Sequence, residues 1–587
     1  MGLPGVDMTL AGCLCVLPFL LPYNQIFEAE WLAGAFGVAA ALAALVTRGV
    51  RIVALPALTR WLAAFALFIG AQALVVYPVY LQIPATAALY VLYAALMTWL
   101  GAQVAAPMGM ERAATVLATW LLAGALANAA AGVIQFYGRP ALFEDIVAEL
   151  PYRAGAWGNI GQQNLYANYL ALGAAALIFL WSRGRARTGY ASAATALLAC
   201  AAALSGSRTS VLYALWFALL GMLAERANAG VEGRCLKFAA FTMAATMLAA
   251  QVAIPWLNGR FELGNVATGA LERLLPSSIG YAEPRWQIWL LAWRMFSGAP
   301  LAGTGIGEFA GAAFRAGLSP SLTHFGNEVW TSPHNLLLQL LAETGAAGAF
   351  LALAGVVGWC WQIGRRYVTT SQPALWWIIA AAGIELIHSM FEFPLWNAHF
   401  LGLTALLMGL GAPALAGSRA ALRVYWSAAA AIVVVLALAL AMSLRDYAVL
   451  LATRITGTTL TLASRADAAR DAAAMQALRS GPFAPAAEFW IVTGAKLDRN
   501  DLHDRLEMSA RVARHYPAHA VIVRRAVFLA FNGDTADARR VLEQAMYTFP
   551  KRCGATIRIL AQALPADPGA IGPLLSLAKR TGLTGCN

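Results

Sequence analysis

Long apolar stretches separated by short polar segments recur along most of the chain. A helix that crosses a bilayer needs about 17–25 mostly apolar residues. Thirteen stretches approach this requirement: residues 8–22, 31–46, 61–77, 85–107, 114–136, 164–181, 189–205, 211–223, 238–256, 340–362, 374–391, 399–415 and 426–443. The first, second, seventh and eighth are short, so the pattern predicts an all-α, polytopic membrane bundle of about twelve or thirteen spans.

Two polar regions break this pattern. Residues 257–334 separate the ninth and tenth apolar stretches, and residues 444–587 follow the last one. We therefore predict a membrane domain over residues 1–443, which includes the polar segment 257–334, and a helical tail over residues 444–587. Within the tail, residues 518–550 carry two amphipathic runs around an Asn-Gly-Asp turn, a pattern close to a tetratricopeptide hairpin. A protein-binding hairpin and a helical cap without a ligand explain this pattern equally well.

The composition agrees with a membrane protein and excludes other classes. Apolar residues make up 60% of the 587 residues and charged residues only 12%, whereas a soluble globular protein carries about 25% charged residues. The chain is also too apolar to be disordered. Its net charge is +12, but Lys and Arg are too sparse for a surface that follows nucleic-acid phosphates. We therefore expect no nucleic-acid partner.

The distribution of basic residues predicts the orientation in the membrane. With the N-terminus inside, the short outer loops hold Arg139, Arg153 and Arg208, and the inner loops hold fourteen basic residues. These fourteen are Arg48, Arg51, Arg60, Arg112, Arg183, Arg185, Arg187, Arg226, Arg234, Lys237, Arg365, Arg366, Arg419 and Arg423. Because Lys and Arg are enriched in inner loops, we predict that the segment 257–334 and the tail face the outer side.

The histidines gather on this predicted outer side. All seven lie there or at its boundary: His324, His334, His388, His399, His503, His515 and His519. A transporter that moves protons through the bilayer centre usually carries ionisable groups inside its spans. The histidine positions therefore favour chemistry at the outer surface over transport across the core.

The polar segment 257–334, called the outer segment below, contains a helix that begins with a candidate arginine. Glu283-Pro284-Arg285 opens a helix of about fourteen residues, with proline where its missing N–H is tolerated. Trp286, Trp289 and Trp293 then form one aromatic stripe. The helix is too short and too charged to span a bilayer, so we expect it to lie in the outer interface, with Arg285 at its start.

A candidate histidine follows in the same segment. Ser332 is predicted to cap the next helix and Pro333 to occupy its first turn, which places His334 at a helix N-terminus. The positive end of the helix dipole disfavours imidazolium there. A neutral histidine at a membrane boundary is suited to accept a proton, although a capping or packing histidine is an equal alternative.

Three further groups of polar residues face the same side. Arg208 lies on the short turn LSGSRTS between the seventh and eighth stretches. An arginine in so short an apolar hairpin needs a partner, and phosphate is its best geometric match. Gln163 and Asn164 lie at the outer end of the sixth stretch, and His388 and Glu392 lie at the end of the eleventh.

Five segments, in order over residues 155–400, resemble successive signatures of the O-antigen ligase/polymerase superfamily. They are GNIGQQNLYANYL, SGSRTS, RWQIWLLAWRMFSGAPLAGTGIGEF, SPHNLLLQLLAETGAAG and HSMFEFPLWNAHF. The glutamine motif, the FEFPL motif and the polar tail are more similar to its protein O-oligosaccharyltransferase branch, the pilin-glycosylation type, than to lipopolysaccharide ligases. Relatives often carry a tyrosine within or just after EFPLW, where this chain has Phe393, Asn397 and His399.

This resemblance implies a GT-C-like fold and an activity. Members of this branch take a glycan preassembled on undecaprenyl pyrophosphate and transfer it en bloc to Ser or Thr of proteins such as pilin. They resemble inverting enzymes that use no metal or other cofactor. The resemblance places the chain in the bacterial inner membrane, with its active site and its tail in the periplasm.

The resemblance also implies roles for individual residues. Arg208 and Arg285 match positions that bind the pyrophosphate, and His334 matches the residue that accepts the proton of the acceptor hydroxyl. Secondary candidates for orienting the glycan or the acceptor are Gln163, Asn164, His388 and Glu392.

Several alternatives stay open at the level of the sequence. An O-antigen ligase that uses lipid A–core as acceptor, or an O-antigen polymerase that uses a second lipid-linked glycan, would share the fold and the donor. A lipid-linked glycan transporter is a more distant alternative, because the chain shows no internal repeat of the kind common in transporters. Cys553 and Cys586 stand alone in the tail and can pair in an oxidising compartment, but the sequence does not decide this.

Overall fold

The structure of the protein, a computed structural model, describes residues 5–22, 26–48, 55–150, 154–227, 230–264, 285–317, 329–412, 419–452 and 473–580. Within these residues the regular elements are all helical, which confirms the all-α prediction. The predicted Glu283-Pro284 start of the tryptophan helix, His324, Arg51, Arg153 and Cys586 lie outside the described residues.

Helices α1 to α16 cover the region up to the tail. They are α1 Val6–Leu14, α2 Leu17–Leu20, α3 Ile26–Arg48, α4 Ala57–Val76, α5 Gln82–Ala105, α6 Met110–Tyr137, α7 Gln163–Ser182, α8 Thr188–Leu204, α9 Thr209–Ala227, α10 Val231–Phe261, α11 Arg285–Gly298, α12 Phe309–Gly317, α13 Leu336–Thr370, α14 Pro373–Ser389, α15 Ala398–Leu410 and α16 Arg419–Ala452. The tail contributes α17 Ala484–Gly494, α18 Leu502–His515, α19 His519–Phe531, α20 Thr535–Thr548, α21 Cys553–Ala563 and α22 Pro568–Arg580.

Among the described residues, helices lie at the positions of all thirteen predicted apolar stretches, in the same order. Among the described residues, nine helices are long and apolar enough to cross a membrane, namely α3, α4, α5, α6, α7, α9, α10, α13 and α16. Four shorter apolar stretches, formed by α1 with α2 and by α8, α14 and α15, supply the remaining positions. The chain is therefore a multi-pass membrane protein.

The lengths of individual spans differ from the prediction at three places. The second and eighth stretches, predicted to be short, form helices of 23 and 19 residues, because these helices continue into their polar flanks. The twelfth stretch, predicted over residues 399–415, forms a helix of only 13 residues, α15. Apolar residues continue beyond this helix, but Gly411 and Pro413, which are poor helix formers, follow its end.

The chain divides into two compact units. The first comprises Met1–Phe65, Tyr90–Glu283 and Leu351–Leu440, and the second comprises Ala66–Leu89, Pro284–Phe350 and Ala441–Asn587. The predicted domains assigned the outer segment to the membrane part of the chain. In the structure, the described part of that segment from Arg285 onward belongs to the same compact unit as the tail.

In the first unit, α7 is the central helix. Every residue from Tyr166 to Leu180 is buried, and α7 packs against α6, α8 and α14. A Cβ added to Gly173 would lie 2.1 Å from the Cβ of Ala125, so only glycine fits at this crossing. Membrane bundles rely on such close packing of small residues, since lipid gives little hydrophobic force between helices.

In the second unit, the outer segment packs against the tail. Helix α12 contacts α18, and Phe314 belongs to the same apolar core as Val512 and Phe528 of the tail. A Cβ added to Gly311 would lie 1.8 Å from the carbonyl oxygen of Arg514, so the two backbones approach closely. The tail therefore packs on the segment that also carries Arg285 and His334.

A buried carboxylate adds polar contacts inside the second unit. The hydroxyl of Tyr80 donates to Glu488 Oε2 at 2.7 Å, and Arg511 Nη2 donates to Glu488 Oε1 at 2.6 Å. Arg479 Nε lies 3.3 Å from the same Oε1. Burial alone would raise the pKa of Glu488, but the hydrogen bonds from Arg511 and Tyr80 outweigh it and hold this pKa below its usual value.

The two amphipathic runs predicted in the tail are confirmed as helices. They form α19 and α20, with Gly533 at φ 92° in the turn between them. The likeness to a tetratricopeptide hairpin stays a prediction. Cys553 is buried at the start of α21.

A buried histidine should make the stability of the tail depend on pH. Burial, and secondly the charge of Arg552, lower the pKa of His519 to about 4, against about 6.5 in an unfolded chain. The unfolded tail therefore binds a proton below pH 6.5 that the folded tail resists until about pH 4. Stability present above pH 6.5 is lost as the pH falls towards 4, by at most about 3 kcal/mol.

His519→Gln should remove most of this dependence, because glutamine can keep a hydrogen bond to Thr556 Oγ1, which lies 2.8 Å from His519 Nε2. The measurement is hydrogen exchange of α19 to α22 in the full-length protein at pH 7 and pH 4.5, corrected for intrinsic exchange rates. His503→Gln is the control, since the His503 side chain is 91% exposed. Equal pH sensitivity of parent and His519→Gln proteins would refute the assignment.

Candidate functional site

Arg208 lies on the tight turn between α8 and α9, as predicted. Helix α8 ends at Leu204 and α9 begins at Thr209. Gly206 has φ 63°, a left-handed conformation that favours glycine, and Ser207 N donates to Ser205 Oγ at 3.1 Å. Arg208 itself is exposed, and no ion pair to it is found among the described residues.

The hydroxyls beside Arg208 join it to two other predicted site residues. Ser207 Oγ donates to Asn164 Oδ1 at 2.8 Å and lies 2.8 Å from Thr209 Oγ1. Asn164 Nδ2 in turn donates to Glu392 Oε1 at 2.8 Å. The first unit therefore brings Asn164, Glu392 and the Arg208 turn together.

His388 lies next to this cluster but below the surface. It is fully buried near the end of α14, its Nδ1 is hydrogen-bonded to the hydroxyl of Tyr213, and its carbonyl oxygen accepts from Glu392 N at 2.9 Å. Its Nε2 has no hydrogen-bond partner within the described part of the chain. In this conformation His388 does not reach a substrate directly.

Gln163 is the first residue of α7, as expected for the outer end of the sixth span. Gln162 caps this helix, since its side-chain oxygen accepts from Leu165 N at 2.6 Å. The segment that precedes the helix packs tightly here: a Cβ on Gly155 would lie 2.2 Å from the carbonyl oxygen of Ser205 and 2.9 Å from Gln163 Oε1. Gln163 therefore lies beside the turn that carries Arg208.

The second unit holds His334 on a strained loop. Its backbone has φ 52°, which is uncommon outside glycine, although histidine is among the residues that adopt it more often. Its ring meets Trp330 edge-on, with centroids 5.9 Å apart, and the residue is half-buried. Strained backbone of this kind is found preferentially at functional sites.

The prediction that Ser332 caps the following helix is wrong. Helix α13 begins at Leu336, and Asn335 caps it through its side-chain oxygen, which accepts from Leu338 N at 3.0 Å. Ser332, the predicted cap, instead accepts from His334 N at 3.0 Å. His334 consequently precedes the cap rather than lying in the first turn, but it remains at the helix N-terminus.

Arg285 begins α11, a helix of fourteen residues as predicted. One turn along it, Trp289 Nε1 donates to the carbonyl oxygen of Pro333 at 3.0 Å. This bond joins α11 to the residue before His334, so Arg285 and His334 lie in the same part of the second unit. Trp286 and Trp293 are 64% and 51% exposed, and the position of this helix in the membrane interface stays a prediction.

The glycine-rich segment between α11 and α12 forms a turn that packs against α13. Thr304 N donates to Ala342 O at 3.0 Å, and Gly305 N donates to Glu343 O at 2.9 Å. These carbonyls are free because the helix is interrupted at Gly345, which has φ 64° and ψ −171°. The turn is therefore engaged with protein backbone.

The sequence reasoning missed four residues of these sites. Ser207, Thr209 and Tyr213 contact the predicted residues in the first unit, and the hydroxyl-rich run SGSRTS is the signal that points to the first two. In the second unit, Glu343 Oε1 accepts from Phe309 N at 3.1 Å. Its signal is a carboxylate inside an apolar span, which is rare without a partner.

Each of the two arrangements, taken by itself, is suited to one chemical step. An exposed guanidinium on a hydrogen-bonded turn can bind an anionic group in a bidentate manner. An imidazole at a helix N-terminus, half-exposed on a strained loop, can accept a proton.

Two family models match the chain. A model described as O-Antigen ligase matches residues 167–353, and a model described as Virulence factor membrane-bound polymerase, C-terminal, matches residues 376–562. Arg208, Arg285 and His334 fall within the first match. His388 and Glu392 fall within the second.

A curated protein also resembles the chain. Over 309 residues the chain is 26% identical to the General O-oligosaccharyltransferase of Acinetobacter baylyi (strain ATCC 33305 / BD413 / ADP1). The match covers 51% of this chain and 51% of the relative, so the chain spans about half the length of the relative it matches.

Proposed function

Because the chain belongs to the O-antigen ligase superfamily, we propose that it is an oligosaccharyltransferase of the bacterial inner membrane. It transfers a preassembled glycan en bloc from undecaprenyl pyrophosphate to Ser or Thr of periplasmic proteins such as pilin. The curated relative is named an O-oligosaccharyltransferase, which supports transfer of an oligosaccharide to a hydroxyl oxygen. The active site and the tail then face the periplasm, as the distribution of basic residues predicts.

The observation that carries this proposal is the placement of Arg208. The side chain is exposed, sits on a turn that hydrogen bonds hold, and has no ion-pair partner among the described residues. An anionic substrate group supplies the missing partner. The pyrophosphate of a lipid-linked donor suits a guanidinium because several oxygens can accept bidentate hydrogen bonds.

In the proposed reaction the acceptor hydroxyl attacks the anomeric carbon of the first sugar. The bond from that carbon to the pyrophosphate oxygen breaks, and the electron pair leaves with the lipid pyrophosphate. Arg208 and Arg285 stabilise the charge that builds on this leaving group, which lowers the barrier because charge is greater in the transition state than in the bound donor. His334 accepts the proton from the hydroxyl, and attack opposite the leaving group inverts the anomeric configuration.

The remaining predicted residues act around this reaction. Guanidinium groups provide the charge that a divalent ion supplies in other transferases, so the proposal includes no metal and no other cofactor. Gln163, Asn164, His388 and Glu392 orient the glycan or the acceptor. Since His388 is fully buried, its part is exerted through Tyr213 or Glu392.

Comparing the glycoproteins of cells with and without this chain tests the acceptor class. We expect mass spectrometry of periplasmic and pilus proteins to show a glycan on Ser or Thr that disappears when the chain is deleted. Re-expression of the parent protein is the control and should restore the glycan. Unchanged glycoproteins would contradict the proposal.

A polymerase is the second candidate, because the family model matching residues 376–562 describes a membrane-bound polymerase. In that case a second lipid-linked glycan is the acceptor, and deletion shortens the polysaccharide without removing glycan from protein. Offering the purified enzyme one lipid-linked glycan, alone, with pilin or with lipid A–core, separates polymerase, protein transferase and ligase.

A further inference from the structure

A continuous chain of hydrogen bonds ties the Arg208 turn to two distant parts of the sequence. It runs from Thr209 Oγ1 to Ser207 Oγ, from Ser207 Oγ to Asn164 Oδ1, and from Asn164 Nδ2 to Glu392 Oε1, each step 2.8 Å long. Asn164 lies in the first turn of α7, and Glu392 follows α14. Three helical elements therefore meet at this turn.

The carboxylate of Glu392 sets the direction of every bond in the chain. An ionised carboxylate only accepts, so the amide NH₂ of Asn164 must face it. The amide oxygen is then left to accept from Ser207, which uses the single hydroxyl proton of that serine. Ser207 can then only accept from Thr209, so Thr209 is the donor in that pair.

The residues of this hydrogen-bond chain are buried, whereas Arg208, which lies between two of them, is exposed. Ser207 is 1% exposed, and Thr209 and Glu392 are each 7% exposed. Arg208, which lies between Ser207 and Thr209, is exposed. The residues on both sides of the arginine are thus anchored inside the protein while its guanidinium remains accessible. A group ordered in advance loses less conformational freedom when it binds its ligand.

We propose that Asn164, Ser207 and Glu392 are positioning residues that hold Arg208 ready for the diphosphate of the donor. This inference rests on the proposed function and deepens it: Asn164 and Glu392, which we proposed to orient the glycan or the acceptor, also act through Arg208. The hydrogen-bond chain needs a donor facing an acceptor at each step. It does not need a negative charge at residue 392 in particular.

Exchanging the donor and acceptor groups tests this requirement. Asn164→Asp sets a second acceptor against Glu392 and should break the chain. The double variant Asn164→Asp with Glu392→Gln restores it and reverses only the bond between these two residues, because the glutamine NH₂ donates to the aspartate, which still accepts from Ser207. The probe is undecaprenyl pyrophosphate without glycan, titrated into the purified full-length protein.

Asn164→Asp should weaken binding of this probe about tenfold or more. The double variant should bind within about threefold of the parent, since the broken hydrogen bond is restored. Thr195→Val is the matched control. Thr195 is 3% exposed on the neighbouring helix α8 and takes no part in the hydrogen-bond chain. A double variant as weak as Asn164→Asp overturns the inference, because Glu392 then acts through its charge.

Combining Asn164→Asp with Arg208→Lys gives a second readout that general destabilisation would not change. If Asn164 acts through Arg208, its replacement should weaken binding far less in the Arg208→Lys protein than in the parent. Equal effects in both proteins overturn the inference while leaving the proposed function standing. A parent protein that fails to bind undecaprenyl pyrophosphate overturns the proposed function itself.

Discussion

His334→Asn should abolish glycan transfer while leaving binding of the lipid-linked donor intact. The proposed role of His334 is to accept the proton of the attacking hydroxyl, and asparagine has no basic nitrogen for this step. A positioned general base contributes about 10²–10⁴-fold to a rate, so we expect single-turnover transfer to fall at least about a hundredfold. Asparagine is chosen because it also tolerates the left-handed backbone seen at φ 52°.

The measurement is transfer of glycan from purified lipid-linked donor to an acceptor peptide, with donor binding measured on the same preparation. His503→Asn is the matched control, since this histidine is 91% exposed in the tail. Near-normal transfer by His334→Asn would rule out the assigned role. Lost donor binding together with lost transfer would show that His334 supports the structure of the loop instead.

Arg208→Lys should impair the enzyme although it conserves the charge. An ammonium group is a point charge and cannot reproduce the two parallel hydrogen bonds that a guanidinium gives to phosphate oxygens. We expect kcat/KM for the donor to fall about 10–100-fold. Activity of the parent protein should survive a chelator, because the proposed mechanism assigns the charge stabilisation to arginines.

Arg185→Lys is the control for this substitution. Arg185 is exposed on the loop between α7 and α8, which the charge pattern places on the inner side, away from the donor pyrophosphate. A parent protein that loses activity on chelation, together with an Arg208→Lys protein that keeps it, would assign the charge stabilisation to a metal ion. The proposed roles of Arg208 and Arg285 would then be wrong.

The membrane architecture could be predicted because its physical cause is local. A bilayer requires a minimum run of apolar residues for each helix, so composition along the chain locates the spans without knowledge of their packing. The turn that carries Arg208 followed for the same reason, since only a few residues separate two apolar runs. Span lengths were less predictable, because α3 and α9 continue into polar flanks that hydropathy does not count.

The cap before α13 could not be decided by the same means. Ser332 and Asn335 are both good capping residues, and Pro333 is suited to the first turn of a helix that starts at Ser332. The left-handed backbone of His334 is incompatible with a helix that starts at Ser332 and runs through His334. The helix therefore starts after His334, and Asn335 is its cap. The bond from Trp289 to Pro333 O, between residues 44 positions apart, fixes the loop in this form.

The sequence by itself determined the multi-pass helical fold and pointed to Arg208, Arg285 and His334 as candidate site residues. Each of these follows from short stretches whose residue types and order are readable along the chain. Only the tertiary structure decided how polar residues pair, because Ser207 meets Asn164 across 43 positions and Asn164 meets Glu392 across 228. Such pairs form when helices pack and buried polar groups must find partners, and no local pattern records which partner each group takes.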